Sequence, residues 1–79
     1  MTNEILLRQK ISASGLKMRF IAEKIGISYQ ALLNKIRNKT EFTAQEIQRF
    51  AELLHMNLEE KEAIFFWSEV DDMPTSETA

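Results

Sequence analysis

Apolar residues recur along this chain at the spacing of amphipathic α-helices. In the clearest stretch, an i, i+3, i+4, i+7 set places four apolar side chains on one helix face: Ile47, Phe50, Ala51 and Leu54. Similar stripes predict helices over residues 3–14, 18–25, 28–37 and 58–68, with the fourth helix of the series between residues 43 and 55. The chain is therefore predicted to be all-α, with one helical domain over residues 1–68.

Polar residues and glycines mark the predicted helix ends. A side-chain oxygen just before a helix accepts from a free backbone amide of the first turn, and a Glu three residues later completes a capping box. Gly and Asn tolerate the left-handed backbone that ends a helix. The predicted N-terminal caps are Asn3, Ser28, Thr43 with Glu46, and Asn57 with Glu60, and the predicted left-handed positions are Gly15, Gly26 and Asn38.

Residues 20–36 predict two short helices joined by a tight turn. Gly26 stands where such a turn requires a positive φ, and Ile27 follows it as an apolar plug into the core. This layout resembles the helix-turn-helix of the small Cro and phage-repressor-like DNA-binding domains. The resemblance is carried by Ala22, Gly26, Ile27, Leu32 and Ile36.

The resemblance covers about residues 4–66 and implies a five-helix lambda-repressor-like fold. Its second and third helices would form the helix-turn-helix, and the third, residues 28–37, would lie in the major groove of a double-stranded DNA operator. Amides pair bidentately with adenine, which favours Gln30 and Asn34 as base readers. The implied base contacts are Ser28, Tyr29, Gln30, Asn34 and Arg37, and the implied phosphate contacts are Lys17, Arg19, Lys35 and Lys39. For Arg37 two roles stay open, since it can read guanine or hold a phosphate.

Charge divides the chain into a basic and an acidic part. Residues 16–40 hold six cations against one acid, whereas residues 41–79 hold ten acids against two cations, and the whole chain has a net charge of −2. The basic part coincides with the predicted motif, as a DNA-binding segment would. Solvated outer faces of any amphipathic helix pair also carry Lys and Arg. Residues 69–79 lose the helical periodicity and are predicted to be a disordered acidic tail.

A protein-binding function is the alternative interpretation of the same segment. Tyr29 and Leu33 place two sizeable apolar side chains on the helix face that is expected to meet DNA. Residues 40–47 and 62–66 look like those of small phage switch proteins that modulate repression. Such an antirepressor would use Tyr29 and Leu33 to bind a phage repressor protein and mask its DNA-binding surface.

Three consecutive aromatic residues, Phe65, Phe66 and Trp67, end the last predicted helix. Successive helical residues point about 100° apart, so the three cannot all face the core. One interpretation is that two fill the core and the third covers its edge. The other is a homodimer interface, because aromatic residues are enriched at such contacts.

The composition argues against catalysis and metal binding. Without cysteine, the chain has neither disulfides nor thiolate metal ligands. His55 and Glu59 have i, i+4 spacing, but two ligands alone make no adequate metal site. Neither a Gly-rich phosphate loop nor a pair of catalytic carboxylates is visible. The expected protein is not an enzyme and uses no cofactor or metal. Because the start shows no secretory signal and no apolar run approaches about 20 residues, we expect a cytoplasmic location away from membranes.

Overall fold

The computed structural model describes residues 1–66, and five α-helices with no strand make up this part of the chain. The helices are α1 (Glu4–Ser14), α2 (Met18–Ile25), α3 (Tyr29–Ile36), α4 (Ala44–Leu53) and α5 (Leu58–Phe65). The predicted all-α class is confirmed for these residues. The predicted tail, residues 69–79, lies outside the described residues.

The predicted caps form the helix ends. Asn3, Ser28, Thr43 and Asn57 each accept a hydrogen bond from a first-turn amide of the helix that follows. Both predicted capping boxes are complete, because the carboxylates of Glu46 and Glu60 accept in return from the backbone amides of the two capping residues. The left-handed positions are Gly15, Gly26 and Asn38, as predicted, together with His55, where the chain breaks between α4 and α5.

The core is apolar and draws on all five helices. Its fully buried side chains include Leu7 of α1, Ile21 of α2, Leu32 of α3 and Phe50 of α4. Three aromatic rings join α4 and α5 to the loop before α4: Phe42, Phe50 and Phe65 lie with ring centroids 5.2–5.7 Å apart. Such edge and tilted contacts stabilise a core beyond the burial of their area.

Two details differ from the sequence prediction. Helical spacing in α1 predicts an inward stripe of Leu7 and Ile11 with Leu6 or Ile5 beside it. Leu7 and Ile11 are buried, but the stripe is narrower than predicted, because Ile5 is 71% exposed and Leu6 is also exposed. Helix α5 is shorter than predicted, because Phe66 has left the helical conformation (φ −119°, ψ 25°) and ends it.

The residues before α1 fasten the ends of two other helices. Thr2 and Asn38 exchange two hydrogen bonds of 2.8 Å, between the backbone amide and carbonyl of Thr2 and the side-chain amide of Asn38. The backbone amide of Asn3 donates to the carbonyl of Ile64 at 2.6 Å. The N-terminal segment thereby connects the end of α3 with the last turn of α5.

Candidate nucleic-acid interface

The turn between α2 and α3 is held from both sides. Gly26 has φ 93°, and its backbone amide and that of Ile27 both donate to the carbonyl of Ala22, at 2.9 and 3.0 Å. Arg49 of α4 donates from Nη1 to the carbonyl of Ile25 at 2.9 Å. Because the last carbonyls of a helix lack partners within the helix, this guanidinium caps α2 from a neighbouring helix.

Arg49 also explains a second requirement for glycine at the turn. A Cβ atom added to Gly26 would lie 3.1 Å from Nη1 of Arg49, closer than ordinary van der Waals contact. Gly26 thus supplies both the left-handed backbone and the room for the guanidinium. Sequence reasoning found the first requirement and missed the second, because a contact between residues 26 and 49 has no local signal.

Gln30 and Asn34 lie one helical turn apart on α3 and contact each other. The side-chain amide of Gln30 donates from Nε2 to Oδ1 of Asn34 at 3.2 Å. Gln30 is exposed and Asn34 is half-buried. This bond leaves the carbonyl oxygen of Gln30 as an acceptor and the amide nitrogen of Asn34 as a donor. The two predicted base-contact residues therefore present one combined donor and acceptor set.

Tyr29 and Arg19 join the first turns of α3 and α2. The guanidinium carbon of Arg19 lies 4.4 Å from the centroid of the Tyr29 ring, within the range of a cation–π interaction. Arg19 remains exposed whereas Tyr29 is half-buried. The contact holds a predicted phosphate-contact residue next to a predicted base-contact residue.

The remaining predicted side chains lie at the two ends of this surface. Ser28 is exposed, but its hydroxyl oxygen accepts from the backbone amide of Ala31 at 3.0 Å as the cap of α3. Three cations are exposed: Lys17 directly before α2, and Arg37 and Lys39 after the end of α3. The surface of α2 and α3 thus has exposed cations at each end and amides between them.

Lys35 is placed differently from the other predicted phosphate contacts. Its ammonium donates to the Glu46 carboxylate at 2.9 Å and to the carbonyl of Glu41 at 3.0 Å. The two charged side chains are 14% and 15% exposed. Lys35 therefore fastens α3 to the start of α4, and we remove it from the candidate phosphate contacts.

The Glu46 carboxylate takes part in two interactions at once. It accepts from the Thr43 backbone amide at 2.9 Å, which closes the capping box, and from Lys35. Burial alone would raise the pKa of the Glu46 carboxyl, but the Thr43 amide and the Lys35 ammonium together hold that pKa below its ordinary value. The Glu46 carboxyl is therefore ionised at neutral pH.

The aromatic residues proposed for a protein interface separate into different environments. Phe65 is 4% exposed and belongs to the core, whereas Phe66 is 57% exposed. Trp67 lies outside the described residues. Phe65 is therefore removed from the candidate interface set. Leu33 is half-buried and lies on the same helix as Tyr29.

The sequence predicts neither metal ligation nor membrane insertion, and the described residues 1–66 bear on both predictions. Within residues 1–66, no group of three or more His, Asp or Glu side chains is arranged to hold a metal ion. His55 is exposed on a left-handed backbone between two helices. None of the helices of residues 1–66 combines the length and apolarity needed to cross a bilayer.

Comparisons of the chain with protein-family models, with curated proteins and with solved structures gave no significant match. The functional interpretation consequently depends on the contacts described above. Those contacts bring together Gln30 with Asn34 and Arg19 with Tyr29. They direct Lys35 toward Glu46 instead.

Proposed function

We propose that this protein is a sequence-specific DNA-binding transcriptional regulator, Cro-like, of a phage or prophage genetic switch. In this proposal α2 and α3 form a helix-turn-helix within a lambda-repressor-like fold, and α3 enters the major groove of an operator. The observation that carries the proposal is the coupled amide pair of Gln30 and Asn34 on a helix flanked by exposed cations. Paired donors and acceptors of this kind match the edge of an adenine.

The dimensions of the surface suit this role. An α-helix with its side chains is about 10–12 Å across and the major groove is about 12 Å wide, so a helix such as α3, with eight residues, can lie in it. Lys17 and Arg19 at the start of α2, and Arg37 and Lys39 after α3, would contact phosphates on either side of the groove. These contacts would position the helix, and the amides would supply base discrimination.

A second function is favoured by the apolar residues of α3. Tyr29 and Leu33 are half-buried and not fully covered by the described chain. An antirepressor on the same scaffold would bind a phage repressor protein through these two side chains. Exposed Phe66 would be available for a homodimer contact in either case.

A fluorescence anisotropy titration with DNA fragments from the gene's own locus tests the first function. We expect the double variant Q30A/N34A to lose about 5- to 150-fold in discrimination between operator and unrelated DNA, the range of one bidentate contact. The variant Q45A/Q48A removes two exposed amides of α4 and is the matched control. If no fragment binds below micromolar concentration at moderate salt, the protein is not an independent DNA binder.

Co-purification with the repressor encoded beside this gene tests the second function. The substitution L33E should abolish the complex, because it places a charge in the proposed apolar contact. L58E is the matched control, since Leu58 is an exposed leucine on α5. A complex that survives L33E would exclude the contact through Leu33.

A further inference from the structure

The cations that follow α3 lie beside the point where the described chain ends. Asn38 and Phe66 line the same cleft of about 110 Å³, and its lining includes Met1, Thr2, Phe42 and one acid, Glu41. Asn38 is flanked in sequence by Arg37 and Lys39, and both are exposed. Phe66, the last described residue, therefore lies on the same cleft as the residue that stands between these two cations in the sequence.

Neither Arg37 nor Lys39 forms an ion pair within residues 1–66, and the acid nearest to them in sequence is Glu41, which is exposed. The ion pairs of that part of the chain are Arg8 with Glu4, Lys10 with Glu60 and Lys35 with Glu46. None of them involves Arg37 or Lys39. The segment 69–77 carries four acids and no Lys or Arg. The end of α3 thus carries positive charge at Arg37 and Lys39, and the segment 69–77 carries negative charge.

The segment is long enough to reach the cations. Glu69 is three residues beyond Phe66, which corresponds to at most about 10 Å of extended chain, and Asp71 and Asp72 follow directly. A short tether gives its end an effective concentration in the millimolar range. Even a weak electrostatic contact is therefore populated within one molecule.

We propose that the acidic segment 69–77 binds the Arg37–Lys39 end of α3 in the same molecule and competes there with the phosphates of nucleic acid. The contact goes beyond the proposed function and depends on it only for the competition step. The carboxylates of Glu69, Asp71 and Asp72 occupy the place of phosphate oxygens. Because any DNA must displace the same contact, the affinities for cognate and non-cognate DNA fall by the same factor. At a given protein concentration, binding is then lost first on the weaker, non-cognate DNA.

Backbone amide chemical shifts of the full chain test the contact without DNA. The variant E69Q/D71N/D72N should shift the resonances of residues 37–39 at low salt. The control variant E52Q/E59Q/E62Q removes three exposed acids of α4 and α5 and should leave them unchanged. Addition of salt to the wild-type chain should move the same resonances toward those of the first variant, because salt screens the attraction. Identical spectra of residues 37–39 in wild type and the tail variant would overturn the proposal.

Two further measurements separate the alternatives. A shift that depends on protein concentration would assign the acidic segment to a second copy and overturn the intramolecular contact. With unrelated duplex DNA at low salt, the tail variant should bind about 3- to 10-fold more tightly than the control variant, the gain expected from removing a weak tethered competitor. If the tail variant changes the chemical shifts of residues 37–39 but neither variant binds DNA, the DNA-binding function is disproved and the intramolecular contact is still supported. Equal DNA affinity of two binding variants would overturn the competition.

Discussion

Asn38 binds Thr2 through a reciprocal pair of hydrogen bonds, each 2.8 Å long. The same residue has a φ of 65°, so its backbone turns the chain out of α3 while its side chain holds the N-terminal segment. Thr2 is buried although it is polar, and these bonds satisfy its backbone amide and carbonyl. One asparagine thus ends α3 and fixes the segment that leads into α1.

The two roles of Asn38 can be separated by substitution. N38A loses both hydrogen bonds. It also places alanine in the left-handed region, where alanine lacks the polar side chain that lets asparagine tolerate this backbone. We expect a loss of about 2 to 4 kcal/mol in the free energy of unfolding. N38G loses the bonds but keeps a permissive backbone, and should cost about 1 kcal/mol less. Urea denaturation measures both, and equal losses would show that backbone strain contributes nothing.

The two left-handed glycines should differ in their tolerance of alanine. Gly15 has φ 74° and no atom within 4 Å of an added Cβ, so G15A should cost only the left-handed strain, about 1 to 2 kcal/mol. G26A should cost more, because its Cβ would displace the Arg49 guanidinium from the Ile25 carbonyl. Thermal or urea unfolding checks the order. In an R49A background, the additional loss of stability of G26A over G15A should disappear. If this additional loss persists, the role assigned to Arg49 is wrong.

Lys35 and Lys39 lie four residues apart but should affect different properties. K39A removes an exposed cation and is expected to lower the salt dependence of DNA binding by about one unit of log–log slope, with little change in stability. K35A removes the partner of Glu46 and should reduce stability without changing that slope. Anisotropy titrations at several salt concentrations and urea unfolding separate the two effects. A reduced slope in K35A would return Lys35 to the phosphate contacts.

The ion pair of Glu46 should make stability depend on pH. The pKa of this carboxyl is lower in the folded chain than its ordinary value of 4.5, so the unfolded chain takes up the proton first on acidification. The stabilisation is therefore complete above the ordinary pKa and is lost as the pH falls through the folded pKa. E46Q should cost about 1 to 2 kcal/mol at neutral pH and less near pH 3.

Unfolding of wild type and E46Q at both pH values gives this difference. E62Q, which changes an exposed glutamate of α5, is the control and should show no comparable pH dependence. A cost of E46Q that stays constant with pH would contradict the lowered pKa.

Local signals explain why most of the fold was predictable. Four of the five helices of residues 1–66 begin at a residue whose side chain caps the first-turn amides, as Thr43 with Glu46 illustrates, and such caps are read within four residues of sequence. Helix α2 is the exception, because Lys17 before it makes no capping bond through its side chain. Gly26 and Asn38 were recognised as left-handed for the same reason, because this preference belongs to the residue type.

Contacts between distant residues explain what was missed. Lys35 was predicted to contact phosphate, but Glu46, eleven residues later, holds its ammonium. The bond from Arg49 to Ile25 spans 24 residues. Sequence periodicity shows which face of a helix is apolar but does not tell which neighbour a long charged side chain meets. The roles of Gln30 and Asn34 as base contacts stay a prediction, whereas the ion pair with Glu46 gives Lys35 a structural partner that its place in the sequence does not indicate.

The hydrogen bond between Asn3 and Ile64 has a consequence for synthesis on the ribosome. After Asn3 is made, 61 further residues must be added before its backbone partner Ile64 exists, which takes about 3 to 12 s at ordinary elongation rates. During that interval the nascent first helix has no fifth helix to close over it. Completion of the domain is thereby delayed until translation has passed its last core residues.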